Sequence, residues 1–148
     1  FYAAYFSIHG DEVDAGVLCR GGQAVAARLR EIEEKGNEAS PKERGLVPAL
    51  EVAREAWARG VRFLPVDLAR SAAEDFQVTE AGLLPPFVAL PGLGLAAARS
   101  IVEAREADPF DSLRDLKTRA KVSKTVIELL ERHGCLRDLP ATEQLTLF

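Results

Sequence analysis

The sequence contains no methionine, and only two cysteines and two histidines in 148 residues. Cys19 and Cys135 lie far apart, with no CxxC pair and no Cys/His cluster, which argues against a zinc site. Two isolated cysteines read as buried thiols in a reducing compartment rather than as a disulfide framework. No apolar run approaches the ~20 residues of a membrane span, and no basic-then-apolar leader is visible. The expectation is a cytoplasmic chain with no membrane partner. An overall basic excess is also missing: the formal net charge is −4. The first residue is Phe1, and the opening Phe-Tyr-Ala-Ala-Tyr-Phe has no capping residue before it. That reads as a helix entered at its start, in a piece of a longer protein.

What is present supports a folded core, with 47% hydrophobic and 28% charged residues. Charge is unevenly placed. Residues 1–89 hold 10 basic and 14 acidic side chains, and residues 90–148 hold 9 of each. The stretch Arg114 to Lys124 has five basic residues and one acid. A local positive patch on an acidic body can meet a polyanion.

The periodicity predicts a mainly α protein with a small β hairpin. A short helix is expected over 1–8 with its aromatics inward, then a turn from Asp11 to Gly16. A helix over 22–35 places Val25, Leu29 and Ile32 on one face. Ser40-Pro41-Lys42-Glu43 is a capping box with proline at the first helical position. That helix should run to Arg59 with Leu46, Leu50, Ala53 and Trp57 inward, and stop at Gly60. Val61 to Pro65 is expected to be extended. Phe76 to Thr79 and Leu83-Leu84 read as a hairpin turning at Glu80-Ala81-Gly82, ended by Pro85-Pro86. Helices are then expected over 94–106, from Ser112 to Arg119, and from a Ser123 cap to His133. The last three form a weak repeat, helix–turn–helix twice, around positions 92 and 122.

Two stretches carry candidate chemistry. Pro91-Gly92-Leu93-Gly94, leading into Leu95-Ala96-Ala97-Ala98, has the form of a helix-hairpin-helix turn. Its glycines allow backbone angles closed to other residues and remove side-chain bulk. Backbone N–H groups at the helix start can then approach a phosphate, helped by the helix dipole. Leu93 should turn inward as anchor, and Ala96, Ala97 and Ala98 should keep the approach thin. The alternative is a tight interhelical turn with no ligand. The second unit, Lys121-Val122-Ser123-Lys124, lacks glycine. Val122 can anchor it, while Lys121 and Lys124 either contribute charge or are a solvated turn. The end, Gln144-Leu145-Thr146-Leu147-Phe148, follows a linker-like Leu139 to Glu143. Its apolar side chains need either the protein's own core or a partner's pocket.

Several motifs occur together and in one order: Phe1-Tyr2-Ala3-Ala4-Tyr5-Phe6, Pro85-Pro86-Phe87, Leu90-Pro91-Gly92-Leu93-Gly94, Lys121-Val122-Ser123-Lys124-Thr125, Arg132-His133-Gly134-Cys135-Leu136 and the terminal Gln-Leu-Thr-Leu-Phe. Together they closely resemble the C-terminal end of the PolC-type replicative DNA polymerases, the DNA polymerase III α chains. The resemblance implies that 1–84 is the end of a fingers domain with a small β insertion. It implies that 85–139 is a tandem helix-hairpin-helix domain for primer-template duplex, and 140–148 a linker with a tail for the sliding clamp.

In that reading Pro91, Gly92, Leu93, Gly94, Leu95, Ala96, Lys121, Val122, Ser123 and Lys124 meet DNA, and Gln144, Leu145, Leu147 and Phe148 meet the clamp. The parent would be a DNA-directed DNA polymerase, a nucleotidyltransferase with a 3'-5' exonuclease. Its palm aspartates would hold Mg2+ upstream of Phe1. This piece would hold no cofactor and be catalytically silent, packing against the missing palm and fingers. Asp11, Asp14 and Asp67 suit solvated or capping roles. Tyr2 and Tyr5 could stack on template bases or pack in the core. Other readings are a freestanding helix-hairpin-helix adaptor, a repair-nuclease DNA-binding module, and an interaction protein that works through its tail alone.

Overall fold

A computed structural model of the chain describes residues 1–8, 13–137 and 139. The expected tail, Gln144 to Phe148, and Asp11 lie outside the described residues. Among those described, seven α-helices make up most of the fold, and one small antiparallel hairpin forms its sheet.

Helix α1 (Tyr2–Ile8) turns one aromatic fully inward. Phe6 is buried and meets the Phe63 ring edge-on at 5.2 Å and Phe76 at 5.5 Å. Tyr2 and Tyr5 are half-buried, and the Tyr2 hydroxyl lies 3.0 Å from Glu55 Oε1 as a hydrogen-bond donor. Phe1 departs from the expected inward face: it is 89% exposed, because it precedes the helix and stacks only on Tyr2 and Tyr5. Ser7 ties the helix to the hairpin by accepting from Phe76 N at 2.9 Å.

The turn expected at 11–16 ends in a short helix, α2 (Ala15–Leu18), because Asp14 caps it through Gly16 N at 2.8 Å. Helix α3 (Gly22–Lys35) and helix α4 (Pro41–Ala58) pack side by side, joined by a 3-10 turn at Gly36–Glu38. Val25, Leu29 and Ile32 of α3 are buried, as their spacing predicts. The capping box is present in both directions, Glu43 N to Ser40 Oγ and Ser40 N to Glu43 Oε1, each 3.1 Å. Leu50 and Ala53 are buried, Leu46 and Trp57 half-buried, and the Trp57 indole N–H donates to Leu18 O at 2.9 Å. Glu43 also accepts from Lys35 at 2.6 Å, and Arg28 lies 3.4 Å away. The Lys35 ammonium, above all, holds the Glu43 carboxyl down at about 2.

Strands β1 (Gln77–Val78) and β2 (Leu83–Leu84) pair Gln77 with Leu84 and Val78 with Leu83. They are shorter than the expected 76–79 strand. A second neighbour compensates, since Phe63 bridges Leu83 in parallel, with Leu64 N to Leu83 O and Leu83 N to Arg62 O both 2.8 Å. Gly82 (φ +147°) permits this: a Cβ there would lie 2.5 Å from Arg62 O.

Pro85 and Pro86 are buried and lead into a 3-10 turn at Phe87–Ala89. The chain then forms α5 (Leu95–Ala107), α6 (Leu113–Ala120) and α7 (Lys124–Arg132). Two arginines lock these helices by gripping carbonyls. Arg105 donates to Leu68 O (3.0 Å) and Ser71 O (2.7 Å), with the Phe87 ring 6.0 Å below it. Arg119 donates to Asp108 O and Ala104 O, lies 4.9 Å from the Phe110 ring centre, and pairs with Asp115 at 3.1 Å. Ile101, Leu116 and Leu130 are fully buried between the helices, in the same core as Phe6 and Phe87.

Candidate nucleic-acid interface

The first hairpin is built at Leu90 to Leu95. Leu93 N donates to Leu90 O at 3.0 Å, closing a turn in which Gly92 has φ +95°. An L side chain is strained at that angle, and a Cβ would lie 3.3 Å from Leu129 Cδ1 of α7. Gly92 therefore lets α7 press against the back of the turn. Leu93 is 3% exposed, so the anchor points inward as the spacing predicts. Gly94 is the N-cap of α5 in extended conformation, with no side-chain cap bond. Nothing lies within 4 Å of a Cβ placed on it. The first N–H groups of a helix have no intrahelical partner, so those opening α5 are left for solvent or a ligand beside the exposed Gly94.

Pro91, Gly92 and Gly94 are exposed, Leu95 is half-buried and Ala96 is exposed. Ala97 is half-buried and Ala98 fully buried. The expectation that all three alanines thin the approach is thus corrected. The helix turns by ~100° per residue, so Ala96 faces out while Ala98 packs into the core.

The first unit also departs from a plain helix–turn–helix. Its leading helix is only the 3-10 turn Phe87–Ala89, since Pro86 and Pro91 leave too few residues between them for α hydrogen bonds.

The second hairpin lacks glycine but resembles the first at two backbone positions. Lys121 has φ 55° and ψ 36°, and is the only non-glycine residue with positive φ among the described residues. It stands where Gly92 stands. Ser123 has φ −71° and ψ 163°, against −77° and 166° for Gly94. Val122, in the position of Leu93, is half-buried and packs on the core. Ser123 Oγ accepts from Val126 N at 3.3 Å, so this hairpin carries its own cap. Lys121, Ser123 and Lys124 are exposed.

The charge around it is selectively free. Arg119 and Asp115 of the basic stretch are spent on each other. Arg114, Lys117, Lys121 and Lys124 are left exposed, with no ion pair among the described residues. Arg119 belongs to the basic stretch in sequence, but its contacts at Asp108 and Ala104 are tertiary, and no local signal marks them.

Asp14 and Asp67 do local structural work, in keeping with the capping roles expected of them. Asp14 caps α2. Asp67 accepts from Ala69 N at 2.8 Å and Arg70 Nε at 3.0 Å. Among the described residues, no group of three His, Cys, Asp or Glu side chains could hold a metal ion. No described helix is long and apolar enough to cross a membrane. Cys19 and Cys135 are unbridged and half-buried, and burial pushes the Cys135 thiol up to about 12.

A glycine-bearing turn with an inward leucine, followed one helix pair later by a second positive-φ turn with a matching N-cap, defines a class. Residues 60–145 match the family described as the helix-hairpin-helix motif, and the chain belongs to it. Over all 148 residues it is also similar to proteins named DNA polymerase III PolC-type. It is 48% identical to those of Caldanaerobacter subterraneus subsp. tengcongensis and Bacillus subtilis, and 49% identical to that of Bacillus cereus. All of this chain is covered in each comparison, but only 11%, 10% and 10% of the relative. The chain thus spans about a tenth of the length of the curated relatives it matches.

Proposed function

We propose that this chain is the duplex-gripping, C-terminal part of a replicative DNA polymerase, holding primer-template DNA by its phosphates without reading sequence. One observation carries the reading above the others. Lys121 takes a positive φ (55°) where Gly92 has φ +95°, and Ser123 opens α7 in the extended conformation in which Gly94 opens α5. Holding a lysine in the left-handed region costs on the order of 1 kcal/mol. The left-handed Lys121 also closes α6, its N–H donating to Lys117 O, and so sets Ser123 to open α7 one turn away. Two similar turns, each presenting a helix N-terminus, suit the two strands of one duplex. Such contacts position a protein on DNA and carry no sequence information.

Within this reading, 1–84 is the end of the fingers domain, 85–139 the duplex-binding unit, and 140–148 the linker and tail. Gln144, Leu145, Leu147 and Phe148 occupy a hydrophobic pocket of the sliding clamp and keep the polymerase on its template. Similarity to PolC-type polymerases over the whole chain supports this assignment. The chemistry belongs to the parent. Its palm aspartates, elsewhere in the longer protein, hold Mg2+ for nucleotidyl transfer, and a 3'-5' exonuclease proofreads. The present residues contribute tethering in the cytoplasm, packed against the palm and the rest of the fingers.

The test is fluorescence-anisotropy titration of the 148-residue chain with a primed duplex and a scrambled one across a salt series. The reading expects equal affinities and a steep decline with salt. A strong preference for one sequence, or binding insensitive to salt, would reject it.

A further inference from the structure

The end of α7 opposite the second hairpin opens on a cleft of about 740 Å3 that the duplex reading does not use. Three arginines rim it: Arg20 after α2, Arg132 closing α7, and Arg137 beyond it. His133 also lines it, and Glu131 is its only described carboxylate. The overall charge of −4 makes that density local rather than general. Among the described residues, none of the three arginines is paired with a carboxylate.

The cleft is also built. Arg20 Nε donates to Gly16 O at 2.7 Å, which fixes its guanidinium beside α2. The His133 ring lies against Gly16, where a Cβ would come within 2.9 Å of Cε1. The Arg137 guanidinium folds over Gly134, 2.8 Å from where a Cβ would stand. Two glycines thus let the His133 ring and the Arg137 guanidinium come close to backbone. Between the cations is an apolar lining made by Leu113, Leu136 and Leu139, all half-buried.

Cations at the end of α7 also offset its dipole, as they do at most helix ends. That accounts for Arg132 but not for Arg20, which follows α2, or for the apolar lining. A duplex presents phosphates with its base faces stacked away, so it would leave that lining unused. A single strand presents both, and its bases rest on apolar surfaces and guanidinium planes while its phosphates meet the arginines.

We propose that this cleft binds single-stranded nucleic acid, as a site separate from the hairpins. The nine residues of α7 separate the two by about 13 Å at 1.5 Å per residue. The inference does not need the polymerase assignment, only the placement of these side chains.

The probe is a labelled 12-nucleotide oligo-dT, titrated into the full chain by anisotropy at low salt, beside a labelled duplex. In an Arg20→Gln/Arg132→Gln/Arg137→Gln variant, oligo-dT affinity should fall at least tenfold, with duplex affinity within about twofold of wild type. The slope of log K against log salt for oligo-dT should shrink by about two, from ~0.7 per lost charge. An Arg132→Gln/Arg137→Gln variant leaves the Arg20 contact on α2 intact and should show most of the loss with unchanged circular dichroism. Lys121→Gln/Lys124→Gln should do the reverse, weakening duplex and sparing oligo-dT. Wild-type affinity for oligo-dT in the arginine variants overturns the proposal. So does equal loss of both ligands, or no oligo-dT binding by the wild-type chain. Loss of duplex binding alone in the lysine variant leaves the cleft supported, so the two readings fail separately.

Discussion

Replacing Gly94 with serine should make the protein more stable and a worse DNA binder. The backbone at Gly94 (φ −77°, ψ 166°) already matches Ser123 (φ −71°, ψ 163°), whose hydroxyl caps α7. No atom lies within 4 Å of a Cβ at Gly94, so the new side chain fits without displacement. By analogy with Ser123 and Val126, it accepts from Ala97 N. A serine cap gains a few tenths of a kcal/mol over glycine, and restricting the unfolded chain adds about 0.4–1 kcal/mol. The sum, about 1 kcal/mol, raises Tm by roughly 2–4 °C in a chain of this size. The same hydroxyl occupies an N–H that the account assigns to a phosphate, and its atoms stand in the approach. Losing one charge-assisted hydrogen bond costs about 1.5–3 kcal/mol, a roughly ten- to hundredfold drop in duplex affinity. Differential scanning calorimetry and anisotropy on one sample check both signs. A variant that binds duplex like wild type refutes the phosphate role of this turn. A variant that is destabilised refutes the cap geometry.

The second hairpin should respond differently. Lys121→Gly relieves the left-handed strain but loosens the unfolded chain, so stability by denaturant melt should change by less than about 1 kcal/mol. The salt slope of duplex binding should fall by about 0.9 for the lost charge. Glu43, held at about 2 against an ordinary 4.5, stabilises the fold fully above pH 4.5 and loses that contribution as pH falls toward 2. Glu43→Gln should therefore be less stable than wild type at neutral pH, and the gap should close by about pH 2 in urea melts along a pH series. Deleting residues 144–148 should abolish binding to an immobilised sliding clamp in surface plasmon resonance while leaving duplex affinity unchanged.

Much of the architecture can be read in the residues because its signals are local. The Ser40/Glu43 box needs four consecutive positions, and Val25, Leu29 and Ile32 need only helical spacing. Leu93 is flanked by the glycines that identify the turn, and its burial follows from them. What stays hidden is tertiary. Lys121 gives no sign that it will take a left-handed conformation, and the absent glycines make the second turn look less like the first than it is. The carbonyls that Arg105 and Arg119 grip are 34–37 and 11–15 residues away in sequence. Arg20 and Arg137 meet across one cleft from opposite ends of the chain. The strand expected over Phe76 to Thr79 is shorter at both ends, and Leu83 of β2 pairs also with Phe63, which no alternation pattern announces.

Amide chemical-shift mapping during titration with a primed duplex tests the central claim most directly. The account predicts the largest shifts at Gly92 to Ala96 and at Lys121 to Thr125, saturating together with one affinity. Shifts concentrated elsewhere, with both turns unmoved at saturation, would contradict it.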